Sequence, residues 1–528
     1  MNEQLSKVKD IKDRSVDRGK RGVLQVIFGR TGILLFCLLT ELLLLFLMLH
    51  YVAQYIYVFF GGHLVFAFLV LLLIINHVEH PAFQLAWASL VLLFPIFGGL
   101  LYLYLKLQPG MRLMAGRMQE IDRQTRELLH PNAETMRELS FEDSRVAQLA
   151  YYIQERQGYP VCRNTEVTYF ASGEEKFEEL KKQLLAAKHY IFLEYFIISE
   201  GYMWDSVQAI LEQKVQEGVE VRLLYDGMNE LNNLPHDFSR RMKNLGIRCK
   251  VFSPVYPVIS TSYNNRDHRK IVVVDGHTAF TGGVNLADEY INRKERFGHW
   301  KDAAIMLHGE AVQSFVVMFL KMWDTTENLE NIAVYLKETP AVETAGQGFV
   351  LPYAKNPLAE TQTAERVYLE ILNSATRYVH IMTPYLVPDH ELMQALIYAA
   401  QRGVDVKLIL PHIPDKKYAF ALAHSYYKIL VRSGVRIFEY TPGFIHSKVM
   451  VSDDEKGVVG AINLDYRSLY LNFECAVFLY RVPEIQNIEA DFKKTVVESQ
   501  LVTEFDIRHD KISRRIAGHV LKVMAPLM

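Results

Sequence analysis

Two short segments of the chain carry the same polar residues at the same spacing. In each segment a lysine, an aspartate, a glycine and an asparagine follow a histidine at offsets of 2, 7, 14 and 17 residues. The residues are His268, Lys270, Asp275, Gly282 and Asn285 in the first copy, and His446, Lys448, Asp453, Gly460 and Asn463 in the second. One His-x-Lys sequence would mean little in a chain with 18 histidines. Four matching offsets in two copies indicate a duplicated functional site.

The residue types suit phosphoryl transfer. On an extended strand, residues i and i+2 point to the same face, so each lysine projects beside its histidine. A neutral imidazole can attack phosphorus, and a protonated imidazole can donate a proton to the leaving alkoxide. Lysine and asparagine can donate hydrogen bonds to phosphate oxygens. Two copies related by a twofold axis would place these groups around one cavity, with the two imidazoles in opposite protonation states.

The repeated aspartates, Asp275 and Asp453, are candidate catalytic residues because they belong to the duplicated pattern. Their offset of 7 residues is odd, which places them on the opposite face of a strand from the histidine. Gly276 directly follows the first of them and indicates a turn. The spacing therefore favours a role in bracing the turn over direct contact with a substrate.

The duplication extends to the predicted strands. The sequence YIFLEYFII at 190–198 recurs as YVHIMTPYLV at 378–387, and GVEVRLLY at 218–225 recurs as GVDVKLIL at 403–410. Strands that alternate with helices are typical of α/β units with a mostly parallel sheet. We therefore predict two α/β/α halves related by a pseudo-twofold axis, with one shared site between them.

Residues 31–105 predict a membrane anchor. They contain no Lys or Arg, and their acidic residues are Glu41 and Glu79. The apolar segments near 31–50, 57–75 and 83–105 are each close to the ~20 residues that a spanning helix needs. Hydropathy favours three crossings, whereas basic residues on both flanks favour two. Glu41 lies within a segment, where an ionisable group is costly and usually faces protein or water.

These features divide the chain into six predicted regions. They are a basic tail at 1–30, two or three transmembrane helices at 31–105, an amphipathic linker at 106–150, a first half at 151–330, a linker at 331–350 and a second half at 351–528. The periodicity near 111–128 fits a helix at the lipid headgroups or one packed on the next domain, and 512–523 shows a similar pattern. The predicted localisation is the cell membrane, with several crossings.

Composition excludes several classes of function. A net charge of −2 gives no general attraction for nucleic acid. The cysteines are far apart and form no CxxC pair: Cys37, Cys162, Cys249 and Cys475. Clustered ligands for zinc are absent from this pattern, so we predict neither a metal nor a cofactor.

The two motifs resemble the HxKxxxxD signature of the phospholipase D superfamily, and the surrounding sequence resembles the bacterial cardiolipin synthases. The similar segments are Asn285–Tyr290 (NLADEY), Trp300–Asp302 (WKD), Thr383–Asp389 (TPYLVPD), Gly443–His446 (GFIH), Asn463–Ser468 (NLDYRS) and Leu471–Glu474 (LNFE). The resemblance extends from about residue 57 to the C-terminus. It departs from the family at Ala461, where a serine is usual, and the change removes one hydroxyl.

The resemblance implies a metal-independent transfer of a phosphatidyl group through a phosphohistidine. One phosphatidylglycerol would be the donor and a second the acceptor, giving cardiolipin and glycerol in a reversible reaction. By this resemblance His268 is the nucleophile and His446 is the acid and later the base. A carboxylate downstream of each motif orients its histidine in the superfamily, and Asp302 and Glu474 occupy the matching positions. Asn285 and Asn463 would bind phosphate or support the site.

Two other functions remain possible from the sequence. A phospholipase D-type phosphodiesterase would hydrolyse phospholipid with the same groups, using water as the acceptor. A membrane scaffold with an inactive site is disfavoured because both motifs are intact. The sequence leaves the oligomeric state open.

Overall fold

The structure, a computed structural model, describes residues 38–47, 56–77, 80–106, 109–254, 264–326, 332–337, 344–359 and 361–527. The chain divides into two compact units. The first contains the residues up to Met111, and the second contains Arg112–Pro254 and Asn264–Pro526. Both copies of the motif lie in the second unit.

Four helices form the described part of the first unit. They are α1 (38–47), α2 (Ile56–Asn76), α3 (Pro81–Leu93) and α4 (Pro95–Lys106). Helices α2, α3 and α4 pack around Ala67, Val70, Ile74, Val91 and Tyr102. Pro95 has no N–H to continue α3, so the predicted segment 83–105 is broken between α3 and α4.

Apolar side chains are prominent on the surface of the first unit. Leu64 is 69% exposed and Leu93 is 73% exposed, whereas Glu41 in α1 is buried. Across the described residues, we find no helix whose length and apolar character together meet the requirement for crossing a membrane. The basic tail predicted at 1–30 lies outside the described residues.

The second unit contains the remaining helices. They are α5 (Pro109–Thr125), α6 (Ala133–Glu142), α7 (Ser144–Gln157), α8 (Gly173–Ala186), α9 (Tyr202–Gln216), α10 (Asn229–Asn232), α11 (Phe238–Asn244), α12 (Val312–Trp323), α13 (Ile332–Lys337), α14 (Thr363–Ser374), α15 (His390–Gln401), α16 (Lys417–Arg432), α17 (Ile485–Val497), α18 (Glu504–His509) and α19 (Ile512–Met524). Ser172 and Asp389 cap the starts of α8 and α15, because their side chains accept hydrogen bonds from the first turns.

The strands of the first half are β1 (Thr165–Phe170), β2 (Tyr190–Tyr195), β3 (Glu220–Asp226), β4 (Arg248–Phe252), β5 (Lys270–Val274), β6 (Thr278–Gly282), β7 (His299–Lys301) and β8 (Ala304–Gly309). Those of the second half are β9 (Phe349–Lys355), β10 (Tyr378–Met382), β11 (Leu386–Val387), β12 (Asp405–Pro411), β13 (Arg436–Tyr440), β14 (Gly443–Ile445), β15 (Val449–Ser452), β16 (Lys456–Gly460), β17 (Leu464–Asp465), β18 (Glu474–Tyr480) and β19 (Ser499–Leu501).

The two main sheets have the same strand order. The first is β1-β8-β6-β5-β2-β3-β4, and the second is β9-β18-β16-β15-β10-β12-β13 with β19 added at one edge. The predicted repeat of α/β halves is therefore present in the topology. An apolar core that includes Leu193, Trp204, Leu223 and Phe238 holds the helices against the first sheet.

The prediction of a mostly parallel sheet is wrong, because most neighbouring strands in the two main sheets are antiparallel. Parallel pairing in the main sheets joins β2 to β3, β3 to β4, β10 to β12 and β12 to β13, and the other neighbouring pairs are antiparallel. The reason lies in the short turns. Strands β5 and β6 are joined through Asp275 and Gly276, and a turn of this length can connect only antiparallel strands.

The halves share backbone pairing. Strand β14 of the second half pairs in parallel with β7 of the first half, with Phe444 opposite Trp300. A further parallel bridge joins Asp267 to Phe473. These contacts make the two halves one body around the motifs.

The two amphipathic segments differ in their surroundings. In α5, Met118 and Ile121 are buried, and Asp122 forms an ion pair with Lys321 at 3.0 Å, so the helix packs on the domain that follows it. In α19, the four predicted apolar positions all face outward: Ile512, Ile516, Val520 and Val523. The opposite side of α19 packs on α16, where a Cβ at Gly518 would overlap the Ala421 carbonyl oxygen at 2.4 Å.

Candidate active site

Each motif histidine stands just before a central strand and is held by the other half. The N–H of His268 donates to the carbonyl of Phe473 at 3.0 Å, and the N–H of His446 donates to the carbonyl of Lys301 at 2.6 Å. The motif lysines follow at the start of β5 and directly before β15. The fold therefore brings the two copies together at equivalent ends of equivalent strands.

A buried carboxylate contacts Nδ1 of each histidine. Nδ1 of His268 lies 2.8 and 2.9 Å from the two carboxylate oxygens of Glu474, and Nδ1 of His446 lies 2.7 Å from Oδ2 of Asp302. The sequence interpretation paired each carboxylate with the histidine of its own motif, and that pairing is wrong. Asp302 directly follows β7, which pairs with the strand preceding His446, so each carboxylate reaches the histidine of the other half.

The contact at Nδ1 decides which ring nitrogen can react. A carboxylate that accepts a hydrogen bond from Nδ1–H leaves the lone pair of a neutral imidazole on Nε2. Burial, followed by the charges of Lys270 and Lys448, holds the pKa of both His268 and His446 well below its ordinary value. The free site therefore favours neutral imidazoles, which is the state that a nucleophile requires.

The two motif lysines are buried beside the histidines. Nζ of Lys270 donates to the carbonyl of His268, and Nζ of Lys448 donates to the carbonyl of His446. Burial lowers the pKa of Lys270 to about 8 and that of Lys448 to about 7. A phosphate placed between them would favour the protonated form of both, because an opposite charge stabilises an ammonium group.

The two carboxylates are unequal acids. Burial raises the pKa of Asp302 to about 6 and that of Glu474 to about 8. Asp302 accepts a hydrogen bond from the N–H of Ala303 at 2.8 Å, which favours its ionised form. Asp302 therefore ionises at a lower pH than Glu474, and an ionised partner stabilises the imidazolium form of His446.

The two predicted phosphate-binding asparagines differ in their contacts. Oδ1 of Asn285 accepts from the N–H of Ile197 at 2.9 Å, and its Nδ2 donates to the hydroxyl of Tyr290 at 2.8 Å. Oδ1 of Asn463 is buried and has no hydrogen-bond partner among the described residues. Asn285 therefore supports the site through its neighbours, whereas Asn463 retains a hydrogen-bond acceptor for a ligand hydroxyl.

Asp275 and Asp453 lie at the other end of the motif strands. The carboxylate of Asp275 accepts the N–H groups of Lys188, His189 and Tyr190 at 2.7–2.8 Å. Asp453 accepts the equivalent N–H groups of 376, 377 and 378 at 2.7–2.9 Å. Seven strand residues span about 20 Å, so neither carboxylate reaches the histidines. Both carboxylates brace the turn, as their spacing favoured, and a catalytic role for them stays a prediction.

Sequence reasoning missed the aromatic walls of the site. The ring of Phe196 packs edge-on against His268 at 4.9 Å between centroids, and Tyr290 does the same against His446 at 5.4 Å. Both belong to segments that the repeat or the resemblance had already singled out, but neither residue type indicated a role. Gly283 was also missed. A Cβ there would lie 1.9 Å from Oδ1 of Asp302, so the carboxylate can occupy its position only beside glycine.

Comparison with solved structures agrees with the fold. A phosphatidylserine synthase from Haemophilus influenzae is similar to this chain with a TM-score of 0.54 and 17% sequence identity. The similarity covers 72% of this chain and 98% of that one. At this level of identity the likeness supports the fold alone, and it agrees with the predicted α/β fold.

Comparison of sequences identifies the family. The family model described as "Cardiolipin synthase, PLD-like domain" matches residues 180–323 and 368–496. A protein named cardiolipin synthase 2 from Bacillus cereus is 33% identical, covering 88% of this chain and 90% of its own length. The chain belongs to the cardiolipin synthase family.

Other proteins match this chain over a similar extent. A cardiolipin synthase from Geobacillus is 32% identical over 85% of this chain and 89% of its own length. An uncharacterised protein from Streptococcus mutans is 50% identical over 84% of this chain and 96% of its own length. The prediction that the chain is an enzyme of phospholipase D type is confirmed by its membership.

Proposed function

We propose that this enzyme is a cardiolipin synthase that transfers a phosphatidyl group from one phosphatidylglycerol to another through a covalent phosphohistidine. The arrangement that carries the proposal is the exchanged pair of His–carboxylate contacts, with a buried lysine beside each histidine. Each imidazole has its Nδ1 in contact with a carboxylate, which leaves Nε2 to react. One imidazole can then act as the nucleophile and the other as the acid and base for a single phosphodiester.

In the first step, Nε2 of His268 attacks the phosphorus of the donor. The bond from phosphorus to the glycerol oxygen breaks, and His446 gives its Nε2 proton to that oxygen, so that glycerol leaves. Lys270 and Lys448 stabilise the negative charge on the phosphate oxygens. Asn463 would accept a hydrogen bond from a hydroxyl of the substrate through its free Oδ1.

In the second step, His446 removes the proton from the terminal hydroxyl of the acceptor phosphatidylglycerol. The hydroxyl oxygen attacks phosphorus, the P–N bond to His268 breaks, and cardiolipin forms. One phosphodiester replaces another, so the transfer needs no nucleotide and is reversible. The more acidic Asp302 beside His446 supports this assignment, because its carboxylate favours a charged imidazole there once the bound phosphate offsets the charges of Lys270 and Lys448.

The proposed reaction is tested by incubating purified protein with phosphatidylglycerol alone in neutral detergent. We expect cardiolipin and free glycerol in equal amounts. Phosphatidic acid and glycerol without cardiolipin would instead identify a phospholipase D-type hydrolase with water as the acceptor. No turnover with correctly folded protein would contradict both functions.

We also propose that the reaction needs no divalent metal, because two lysines supply the positive charge at the phosphate. Activity should persist in excess chelator. Loss of activity in chelator, restored by one specific divalent ion bound at the histidines, would overturn this proposal. Stimulation by many ions alike would reflect the packing of anionic lipid rather than catalysis.

We further propose that the enzyme is a multi-pass protein of the cell membrane. The absence of Lys and Arg from 31–105 supports an anchor, and the exposed apolar side of α19 supports contact with a lipid surface. Changing Ile516 and Val520 to serine should weaken α19 binding to vesicles that contain anionic lipid. The full-length variant should still be retained in washed membranes. Release of the full-length protein by alkaline carbonate would contradict an integral anchor.

A further inference from the structure

The proposed reaction presents an electrostatic problem that the histidine site alone does not solve. Donor and acceptor each carry a phosphate, and cardiolipin holds the two phosphates one glycerol unit apart. Lys270 and Lys448 adjoin the histidines and serve the phosphate that is transferred. A second anion beside the first requires its own donor, since like charges repel in a buried site.

A second cationic group lies at the edge of the site in the second half. Lys416 directly precedes α16, and its Nζ donates to the hydroxyl of Tyr385 at 2.9 Å. The same ammonium lies 4.7 Å from the centre of the Tyr385 ring. The Lys416 side chain is 47% exposed, so it remains accessible to a ligand.

Tyr385 connects this lysine to the motif residues. It directly precedes β11, which pairs with β17 so that Leu386 lies opposite Leu464, the residue after Asn463. A small cavity is lined by Tyr385, Lys416 and Phe444, among others. The ring of Phe444 lies 5.9 Å from that of His446. The cavity therefore adjoins the histidine that would handle the acceptor hydroxyl.

The backbone adds to the same positive surface. Helix α16 begins at Lys417, and no side chain of the described residues caps this end. The first N–H groups of a helix without a cap attract an anion, and Ala419 in that first turn lines the cavity. Asp415 also lines the cavity and offsets part of this charge: its carboxylate lies 3.6 Å from the Lys416 ammonium and accepts the Tyr385 hydroxyl at 2.6 Å.

We propose that Lys416 and the start of α16 bind the phosphate of the acceptor lipid, one glycerol unit from the phosphate that is transferred. This inference rests on the proposed function and assigns a specificity role to Lys416. Tyr385 holds the ammonium in place through its hydroxyl. An acceptor that carries an anion would gain from this contact, whereas a neutral alcohol would not.

The test compares two acceptors that share one donor. Cardiolipin formation uses phosphatidylglycerol as the acceptor, and exchange of labelled glycerol into phosphatidylglycerol uses a neutral acceptor through the same covalent step. Loss of one charge-assisted contact is worth roughly tenfold. For Lys416→Gln in neutral detergent, we expect cardiolipin formation to fall roughly tenfold, with a raised KM for the acceptor and glycerol exchange nearly unchanged. Lys416→Arg should retain most synthesis, and Lys416→Glu should lose more than Lys416→Gln.

The matched control is Lys428→Gln, which removes an exposed lysine further along the same helix, away from its start. It should change neither rate. Equal loss of both reactions in Lys416→Gln, or no loss of either, would overturn the role of Lys416. A fall in the Lys428 variant equal to that in the Lys416 variant would overturn the specific contact and indicate a general attraction for anionic lipid. Failure of the proposed function would appear differently, as wild-type protein that makes no cardiolipin.

Discussion

The two halves share their backbone and motif geometry but differ in what lies beneath the motif. In the first half, Arg269 stands between the motif histidine and lysine and is buried with two carboxylates. It lies 2.5 Å from Glu194 and 3.1 Å from Asp267. In the second half, the equivalent positions hold Ser447, Met382 and Ile445, all of which are buried. One half therefore supports its histidine with buried charge and the other with an apolar core.

The difference shows that a duplicated scaffold can hold two unequal sites. The strand order and the His–Lys spacing are the same in both halves because they follow from the backbone. The side chains that surround each imidazole have diverged, including the longer Glu474 at one histidine and Asp302 at the other. Unequal surroundings are what a reaction with one nucleophile and one acid requires.

The strongest test of this inequality separates the two histidines. We predict that His268→Ala and His446→Ala each lower cardiolipin synthesis by roughly a thousandfold or more, since each imidazole has its own role. A phosphatidyl ester of an acidic phenol needs no acid for its leaving group. With it, His446→Asn should still release phenolate and accumulate phosphate on His268, whereas His268→Asn should release none.

Mass spectrometry of rapidly quenched peptides measures the outcome directly. Phosphate found on His446 would reverse the proposed roles. An absence of label in both variants, together with normal transfer by wild-type protein, would favour direct displacement without a covalent intermediate. Protein that retains its elution volume in detergent serves as the folding control for each variant.

The exchanged carboxylates give the next largest effect. We predict that Glu474→Gln and Asp302→Asn each lower synthesis by about a hundredfold, because each removes the charge that orients and stabilises an imidazole. With the phenol ester, Asp302→Asn should recover because it acts through the acid His446. Glu474→Gln should remain slow because it acts through the nucleophile His268.

The opposite pattern would arise if each carboxylate served the histidine of its own motif. Phenolate release by Glu474→Gln but not by Asp302→Asn would therefore contradict the cross-half contacts. The two carboxamide variants are close in size to the native residues, so each controls for the packing change in the other.

The pH dependence of these carboxylates sharpens the same contrast. Burial raises the pKa of Glu474 to about 8 in the folded protein from its ordinary value of 4.5. Between these values the folded state holds a proton that the unfolded state has lost, so stability falls as pH rises through this window. We predict that Glu474→Gln lowers the pH dependence of the unfolding midpoint between about pH 5 and 8, measured as the difference from wild type. An unchanged slope would contradict the raised pKa.

The sequence was sufficient for some parts of this site and insufficient for others. Histidine and lysine could be placed because an i, i+2 relation holds on any strand, and the repeat of Tyr190 at Tyr378 gave the halves. The exchange of Asp302 and Glu474 could not be predicted, because it depends on β7 and β14 pairing across the halves. Lys416 was missed for a similar reason, since only the fold brings the residues after β12 beside Tyr385.

The buried charges of the first half were also invisible to pattern analysis. Glu194 lies in an apolar segment that predicts a buried strand. Nothing in the sequence pattern indicates that Arg269 contacts Glu194 in the folded protein. We predict that Arg269→Met lowers the free energy of unfolding by about 3 kcal/mol, because two buried carboxylates would lose their common partner. Glu194→Met should cost less, since Arg269 keeps Asp267, and Ser447→Ala in the second half should cost under about 1 kcal/mol.

Denaturant unfolding of the detergent-solubilised protein provides this ranking. A double variant, Glu194→Met with Arg269→Met, should lose less unfolding free energy than the two single variants lose together, because it removes both charges of one contact. Additive effects would mean that the two side chains are not coupled. Equal losses from Arg269→Met and Ser447→Ala would remove the contrast between the halves.

The smallest predicted effect concerns the turn aspartates, which occupy equivalent positions but differ in burial. Asp275 is buried and Asp453 is partly exposed, and both have positive φ angles, at 48° and 58°. Asparagine tolerates this backbone conformation, so Asp→Asn weakens the side-chain contacts without straining the turn. We predict that the free energy of unfolding falls by about 2 kcal/mol for Asp275→Asn and by about 1 kcal/mol for Asp453→Asn, because water can replace part of the exposed contact.

Activity per folded molecule should stay within about twofold of wild type in both variants, since the carboxylates lie about 20 Å from the histidines. A large fall in that activity without a loss of stability would restore a catalytic role to these residues, and a greater loss for Asp453→Asn would contradict the argument from burial.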